Sequence, residues 1–212
     1  MAKKPQFKID RTGPWKKTRE LLITGPALIT RAADRAVRQE AELLRKEIVK
    51  GLNSQAPGGN RFKPLSKTTL AVRRSQGFRG RKALIRSGAL RRSISAVHTR
   101  QGSFVGVLRS ARSADGKRLT DIAQVQEFGS RPIVIRVSDK MRKAIMAKLR
   151  EGGLRVRGAA QQGPGKLSTG LLIVQIPARP FLRPVFEKFA QGADKRMEKR
   201  MAGLLSGAFG RV

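Results

Sequence analysis

Cysteine and tyrosine are absent from the 212-residue chain, which has one tryptophan and one histidine. Without thiols there can be no disulfide and no thiolate metal site, and cysteine usage says nothing about redox compartment. Aromatic residues make up only 5% of the chain, so any core must be largely aliphatic. Hydrophobic residues reach 39%, below a typical globular share but above that of a disordered chain. No apolar run approaches the roughly 18 residues of a membrane span, and the N-terminus carries no signal-type apolar segment. The expectation is a soluble protein, not exported by the ordinary route and not associated with a membrane. Acidic residues are also scarce: 14 Asp and Glu stand against 47 Lys and Arg, a formal charge of +33. Such a chain repels itself unless anions are near, which points to a polyanion or an acidic protein surface as neighbour.

The same scarcities argue against catalysis. His98 is the only histidine, and its neighbours Val97 and Thr99 supply neither an acid nor a nucleophile. No His-x-x-x-His or Asp-x-Asp spacing offers a metal site, and the glycines form neither a phosphate-binding loop nor a dinucleotide fingerprint. Glu127 is a conceivable base, but the acids are too dispersed to pair it or to hold Mg²⁺ as a nuclease would. The expectation is a non-enzyme with no cofactor and no metal.

Along the chain, Lys3, Lys4, Lys8 and Arg11 make residues 1–15 a basic arm ending at Trp15, an anchor for packing or for stacking on a base. Ile29, Ala33, Ala36, Val37, Ala41, Leu44, Ile48 and Leu52 predict a long amphipathic helix from Pro26 to Leu52. Five of the 14 acids lie between Glu20 and Glu47, making this the least basic region. Ser66 is placed to cap a short helix through Gln76. Arg79, Arg81 and Lys82 then sit on a Gly-containing loop, suited equally to phosphate contact or to plain solvation. Residues 93–110 read as a hairpin turning at Gln101-Gly102, and Leu119 to Phe128 as a helix stopped by Gly129. Pro132 to Val137 is a strand. Ser138 caps a helix with Met141, Ile145 and Leu149 inside. Residues 152–170 hold six glycines with Arg155, Arg157 and Lys166, a long basic loop.

Near the C-terminus an apolar strand, Leu171 to Ile176, ends at Pro177. Phe181, Val185, Phe186, Phe189, Ala193, Met197, Met201, Leu204 and Leu205 follow at helical spacing. Pro180 and Pro184 are expected in the first helical turn, where a missing N–H has no intrahelical partner. Gly203, Gly207 and Gly210 suggest that the helix frays into a tail. The domain reading is a basic arm 1–15, one α+β domain 16–206 with a helix and loop inserted at 138–170, and a flexible tail 207–212.

The corner Pro177-Ala178-Arg179-Pro180-Phe181-Leu182 resembles the C-terminal signature of phage head–tail joining proteins, also called tail-completion, neck or virion-morphogenesis proteins. Three further motifs of that family precede it in order: Leu65-Ser66-Lys67-Thr68-Thr69, Arg86-Ser87-Gly88-Ala89-Leu90-Arg91-Arg92-Ser93-Ile94, and Glu127-Phe128-Gly129. The resemblance spans residues 62–186.

It implies an α+β fold: a twisted, mainly antiparallel sheet with a long N-terminal helix, shorter helices and a C-terminal helix packed on it. It also implies a structural virion protein of the neck, found in the host cytoplasm during assembly. Such a protein forms a homo-oligomeric ring, commonly of six copies (a hexamer) with a twelve-fold ring beside the portal as the alternative, and joins tail terminator or tube proteins to the head connector. Phage DNA passing through the ring would supply counter-charge through sequence-blind phosphate contacts, with acidic neighbouring neck proteins as the alternative source. On this reading Arg79, Arg81, Lys82, Arg155, Arg157 and Lys166 face DNA, while Phe128, Arg179, Phe181 and Arg183 dock subunits or neck proteins. Plain core packing is the alternative for the two phenylalanines. The alternative function is general, sequence-nonspecific DNA or RNA binding, which the charge favours equally but no helix–turn–helix, zinc finger or aromatic RNA-binding sheet supports.

Overall fold

The computed structural model describes residues 13, 15–154 and 170–209. Helix α1, Trp15–Ser54, is followed by a 3-10 turn at Pro57–Gly59, then α2 Lys67–Ser75 and α3 Ala89–Arg92. The hairpin β1 Ile94–Thr99 and β2 Gly102–Val107 leads to α4 Leu119–Phe128. Strand β3 Ile133–Val137, helix α5 Asp139–Glu151 and strand β4 Gly170–Val174 precede α6 Arg183–Ala190 and α7 Ala193–Phe209. The fold class is α+β. The antiparallel pairing is divided between two two-stranded sheets, β1 with β2 and β3 with β4.

Local signals explain most of these elements. Ser66 accepts a hydrogen bond from the Thr69 N–H at 3.1 Å to start α2, and Ser138 accepts one from the Met141 N–H at 3.3 Å to start α5. The expected hairpin forms, with Ile94 paired to Val107 and Thr99 to Gly102, but its turn is Arg100-Gln101, one residue earlier than expected, and Gly102 at φ +147° opens β2. On α5 Leu149 is buried, whereas Met141 is exposed.

Two helix boundaries differ from the sequence expectation. Helix α1 begins at Trp15 and runs through Pro26. The residue before a proline normally leaves the helical region because its Cβ meets the pyrrolidine ring, and Gly25 has no Cβ. Toward the C-terminus the single expected helix is two, α6 and α7. They are separated at Gln191 and Gly192, where Gly192 takes φ +70°, and α7 continues to Phe209 rather than fraying at Gly203.

The chain forms two compact units. One combines residues up to Glu40 with those from Gly192 onward, and the other spans Ala41–Gln191. In the first, Ala32 and Ala36 are buried on α1. One turn further the buried carboxylate of Glu40 accepts from Arg196 Nε at 3.2 Å and from Arg200 Nε at 2.7 Å. Arg200 also donates to Gln39 at 3.1 Å. Arg196 and Arg200 lie one turn apart on α7, so one carboxylate registers the two helices.

The core of the second unit joins Ile48 and Leu52 of α1, Leu90, Ile94, Val107, Leu119 and Ala123, and Phe181 and Val185 of the corner. Helix α5 is tied to α2, where Arg74 donates to the Gly152 carbonyl at 3.2 Å. Strands β3 and β4 differ in character from this core: Ile133, Val134, Leu171 and Ile173 are at least half exposed.

Replacing Glu40→Gln removes the charge that both arginines share. Hydrogen–deuterium exchange should quicken in α7 while the amides of Leu52, Leu90 and Ile94 keep their protection. Unchanged exchange in α7 would show that the pair does not hold that helix.

Candidate functional site

The motif Glu127-Phe128-Gly129 ends α4, and each of its three residues does something different. Glu127 is buried. Its Oε2 accepts from the backbone N–H groups of Phe181 at 2.8 Å and Leu182 at 3.1 Å, and its Oε1 from that of Arg183 at 2.9 Å. These N–H groups lead into α6 and have no carbonyl one turn earlier to accept them. A carboxylate also complements the positive end of the helix dipole. Glu127 therefore acts as a structural cap supplied from 54 residues away.

Gly129 takes φ +82°. With ψ at 177° this is a backbone conformation essentially limited to glycine, and a Cβ there would also crowd the corner, at 3.1 Å from the Ala178 nitrogen and 3.2 Å from the Ile176 oxygen. Around it Arg179 N–H donates to the Gln126 carbonyl, Ser130 N–H to the Ile176 carbonyl at 2.9 Å, and Ile176 N–H to Ser130 Oγ at 2.9 Å. The far side of the corner is closed by the 3-10 turn, where Gly58 at φ +64° packs directly on the Pro184 carbonyl.

The corner sorts the residues expected at the site. Phe181 has no exposed surface and belongs to the core, so its side chain is not available to a partner. Phe128 is 73% exposed. Arg183 is exposed and pairs with Glu187 at 2.7 Å, a hydrogen bond that raises its pKa. Arg179 is half-buried, with an Nε that has no protein partner. Pro184 sits in the first turn of α6 as expected, whereas Pro180 precedes the helix.

Beside the corner lies an open, almost wholly apolar groove of about 480 Å³. Leu44, Val105 and Leu182 contribute half-buried side chains, and Phe104, Phe128 and Phe186 stand exposed around them. Helical spacing puts Phe186 on the inner face of its helix. It lies outside because Phe181 and Val185 already fill the core at that level. Nothing in the local spacing indicates the roles of Phe104, Phe186 and Glu127, and only the recurrence of Glu-Phe-Gly ahead of the corner hints at the last.

Of the expected DNA-facing residues, Arg79, Arg81 and Lys82 are exposed on the loop between α2 and α3. That loop is held from beneath by Arg73, which donates to the carbonyls of Gly80 at 3.3 Å and Lys82 at 2.8 Å. Burial, reinforced by the charges of Arg86 and Arg179, lowers the pKa of Arg73. Lys82 Nζ also donates to the Asn53 carbonyl at 2.7 Å, and Arg86 stacks 5.0 Å from the Phe78 ring centre. Arg155, Arg157 and Lys166 lie outside the described residues.

One constellation superficially resembles a hydrolase triad. His98 Nδ1 is 2.8 Å from Ser103 Oγ, and its Nε2 is 4.0 Å from Glu42. Glu42 is instead engaged by Arg45 at 2.9 Å, which lowers its pKa, and stands too far to orient the imidazole by a hydrogen bond. Among the described residues no group of three His, Cys, Asp or Glu could hold a metal ion, and no helix is long and apolar enough to cross a membrane.

Replacing Glu127→Gln presents an amide N–H to backbone donors and should lower unfolding stability by about 1–3 kcal/mol in denaturant titration. Phe181→Ala should cost about 3–5 kcal/mol by the same measurement. Phe128→Ser, at an exposed position, should change stability by no more than about 0.5 kcal/mol.

A family model described as the phage virion morphogenesis family matches residues 20–209. Comparison with curated proteins and with solved structures gives no match.

Proposed function

Because the chain belongs to the phage virion morphogenesis family, we propose that it is a structural protein of the phage neck. It closes the tail end and joins it to the head connector as a ring of identical subunits through which DNA passes. Proteins of such a family are generally structural rather than enzymatic, which agrees with a site built from a cap, a corner and a groove.

The observation that carries this reading is the ribbon β3–β4. A two-stranded sheet is marginal by itself in water, and this one exposes Ile133 and Val134 on one strand and Leu171 and Ile173 on the other. Ile133 and Val134 are consecutive, so both faces of the ribbon are apolar there. Among the described residues no further strand pairs with its outer edges. A neighbouring subunit that extends or covers the ribbon would remove this surface from water, as an assembled ring does. Phe128 and Arg183, on the exposed side of the corner, supply a second docking edge, with Phe181 and Arg179 supporting it from behind.

Charge supports the DNA in this picture. Subunits each carrying +33 repel one another unless anions lie between them. Arg79, Arg81 and Lys82, on a loop pinned by Arg73, suit phosphate contacts that hold position without reading sequence.

Sedimentation of the purified protein, with and without duplex DNA at low and high salt, tests the proposal. A salt-resistant ring, or a monomer that completes tail-to-head joining in an assembly mixture, is expected. A monomer that only coats DNA and leaves it with salt would replace this reading with general nucleic-acid binding. Val134→Glu should weaken ring formation with the denaturation midpoint preserved. Replacing Arg79, Arg81 and Lys82 with alanine should reduce the salt dependence of DNA binding, the log–log slope falling by about 0.9 for each phosphate that is no longer neutralised.

A further inference from the structure

We propose that the apolar groove beside the corner receives a segment of another virion protein that is apolar at its centre and acidic at one end. The proposal deepens the docking role argued above and rests on it. It assigns to that site the chemistry of its partner.

Shape and polarity set the apolar part. The groove is almost wholly apolar, at about 480 Å³, with three exposed phenylalanines standing around half-buried aliphatic side chains. Exposed aromatic side chains around a concavity are the usual anchors of a peptide or helix laid into a groove. The polar groups nearby are already engaged. The Glu127 carboxylate is taken by three backbone N–H groups, and Arg183 is paired with Glu187.

Charge sets the acidic end. Thr120 and Gln124 of α4 line the groove and also an adjoining depression formed with Arg109, Arg112, Arg118 and Asp121. Three arginines against one aspartate leave that depression at a net +2. All three arginines are exposed, and the Arg112 side chain donates to the Gly116 carbonyl at 3.3 Å. A carboxylate placed there gains planar, charge-assisted hydrogen bonds, whereas a cation meets repulsion.

The same argument separates this partner from a second copy of the chain. Besides the β3–β4 ribbon, which carries Arg131 and Arg136 and no acid over residues 131–137, the exposed apolar ridge among the described residues is the first part of α1, where Leu22, Ile23 and Ile29 are exposed. That ridge is flanked by Lys16, Arg19 and Arg31 with only Glu20 against them. Docked in the groove, it would bring cations to the arginine depression. An acidic partner satisfies both surfaces at once.

Three synthetic peptides test the assignment, at a salt concentration that screens diffuse attraction to a basic protein. One alternates Leu and Phe with a block of Glu at one end. The second carries Lys in place of Glu, and the third keeps Glu but has Ser in place of Leu and Phe. The full-length protein should bind the first at least about tenfold more tightly than either other peptide, by fluorescence anisotropy. Phe186→Asp should abolish the preference, and Arg118→Glu should reverse it in favour of the Lys peptide. Equal binding of both Glu-bearing peptides would mean diffuse charge alone and would overturn the proposal. So would self-association that Phe186→Asp abolishes, because the groove would then belong to a second copy. Virion assembly is scored in parallel with the same variants. Failure of the peptide preference with assembly still dependent on the protein overturns the groove assignment alone. A protein dispensable for assembly overturns the neck function instead.

Discussion

The buried carboxylate of Glu127 is the constraint on which the second unit depends. It satisfies three consecutive N–H groups at the entrance of α6, and in doing so fixes where the corner lies along α4. With that position set, Phe181 and Val185 enter the core beside Leu52 and Leu90, and Phe128 and Phe186 are left outside. Pulling the corner away would break three hydrogen bonds to a charged acceptor, and would uncover Phe181 and Val185 as well. The corner is therefore a rigid feature, suited to presenting side chains to a partner at low entropic cost.

Exposure and charge complement one another in this protein. A chain with so few acids uses the buried ones for structure: Glu40 registers α1 with α7 through Arg196 and Arg200, and Glu127 caps the corner. Among the described residues most of the other cations are exposed, and few are paired with an acid. The large exposed apolar side chains are concentrated on the β3–β4 ribbon, around the groove and on the first part of α1. A surface both apolar and strongly basic is poorly suited to a freely diffusing monomer, and fits a subunit whose surroundings supply apolar cover and anions.

The motifs that carry the resemblance gain a physical reading from the structure. The serine of Leu65-Ser66 caps α2. In Arg86 to Ile94, Leu90 and Ile94 are core residues, and Gly88 provides the positive φ from which α3 starts. Glu127 and Gly129 lock the corner, and Phe181 anchors it. These roles are architectural: they start helices, fill the core and lock the corner.

What the sequence determined by itself was local. Periodicity and side-chain caps placed α2, α4, α5 and the first hairpin, because a helix turn or a strand alternation is decided by residues a few positions apart. Pro26 misled because the relief comes from the lack of a side chain at Gly25. Composition determined the overwhelming positive charge, and the order of four short motifs pointed to phage virion morphogenesis, the family whose model matches residues 20–209. Tertiary structure alone decided that Glu127 is a cap rather than a base, that Phe181 is core while Phe186 is surface, and that Phe104, Phe128 and Leu44 share a groove. Those facts depend on elements far apart in the chain meeting in space, and no local spacing encodes which of two neighbouring phenylalanines the core has room for.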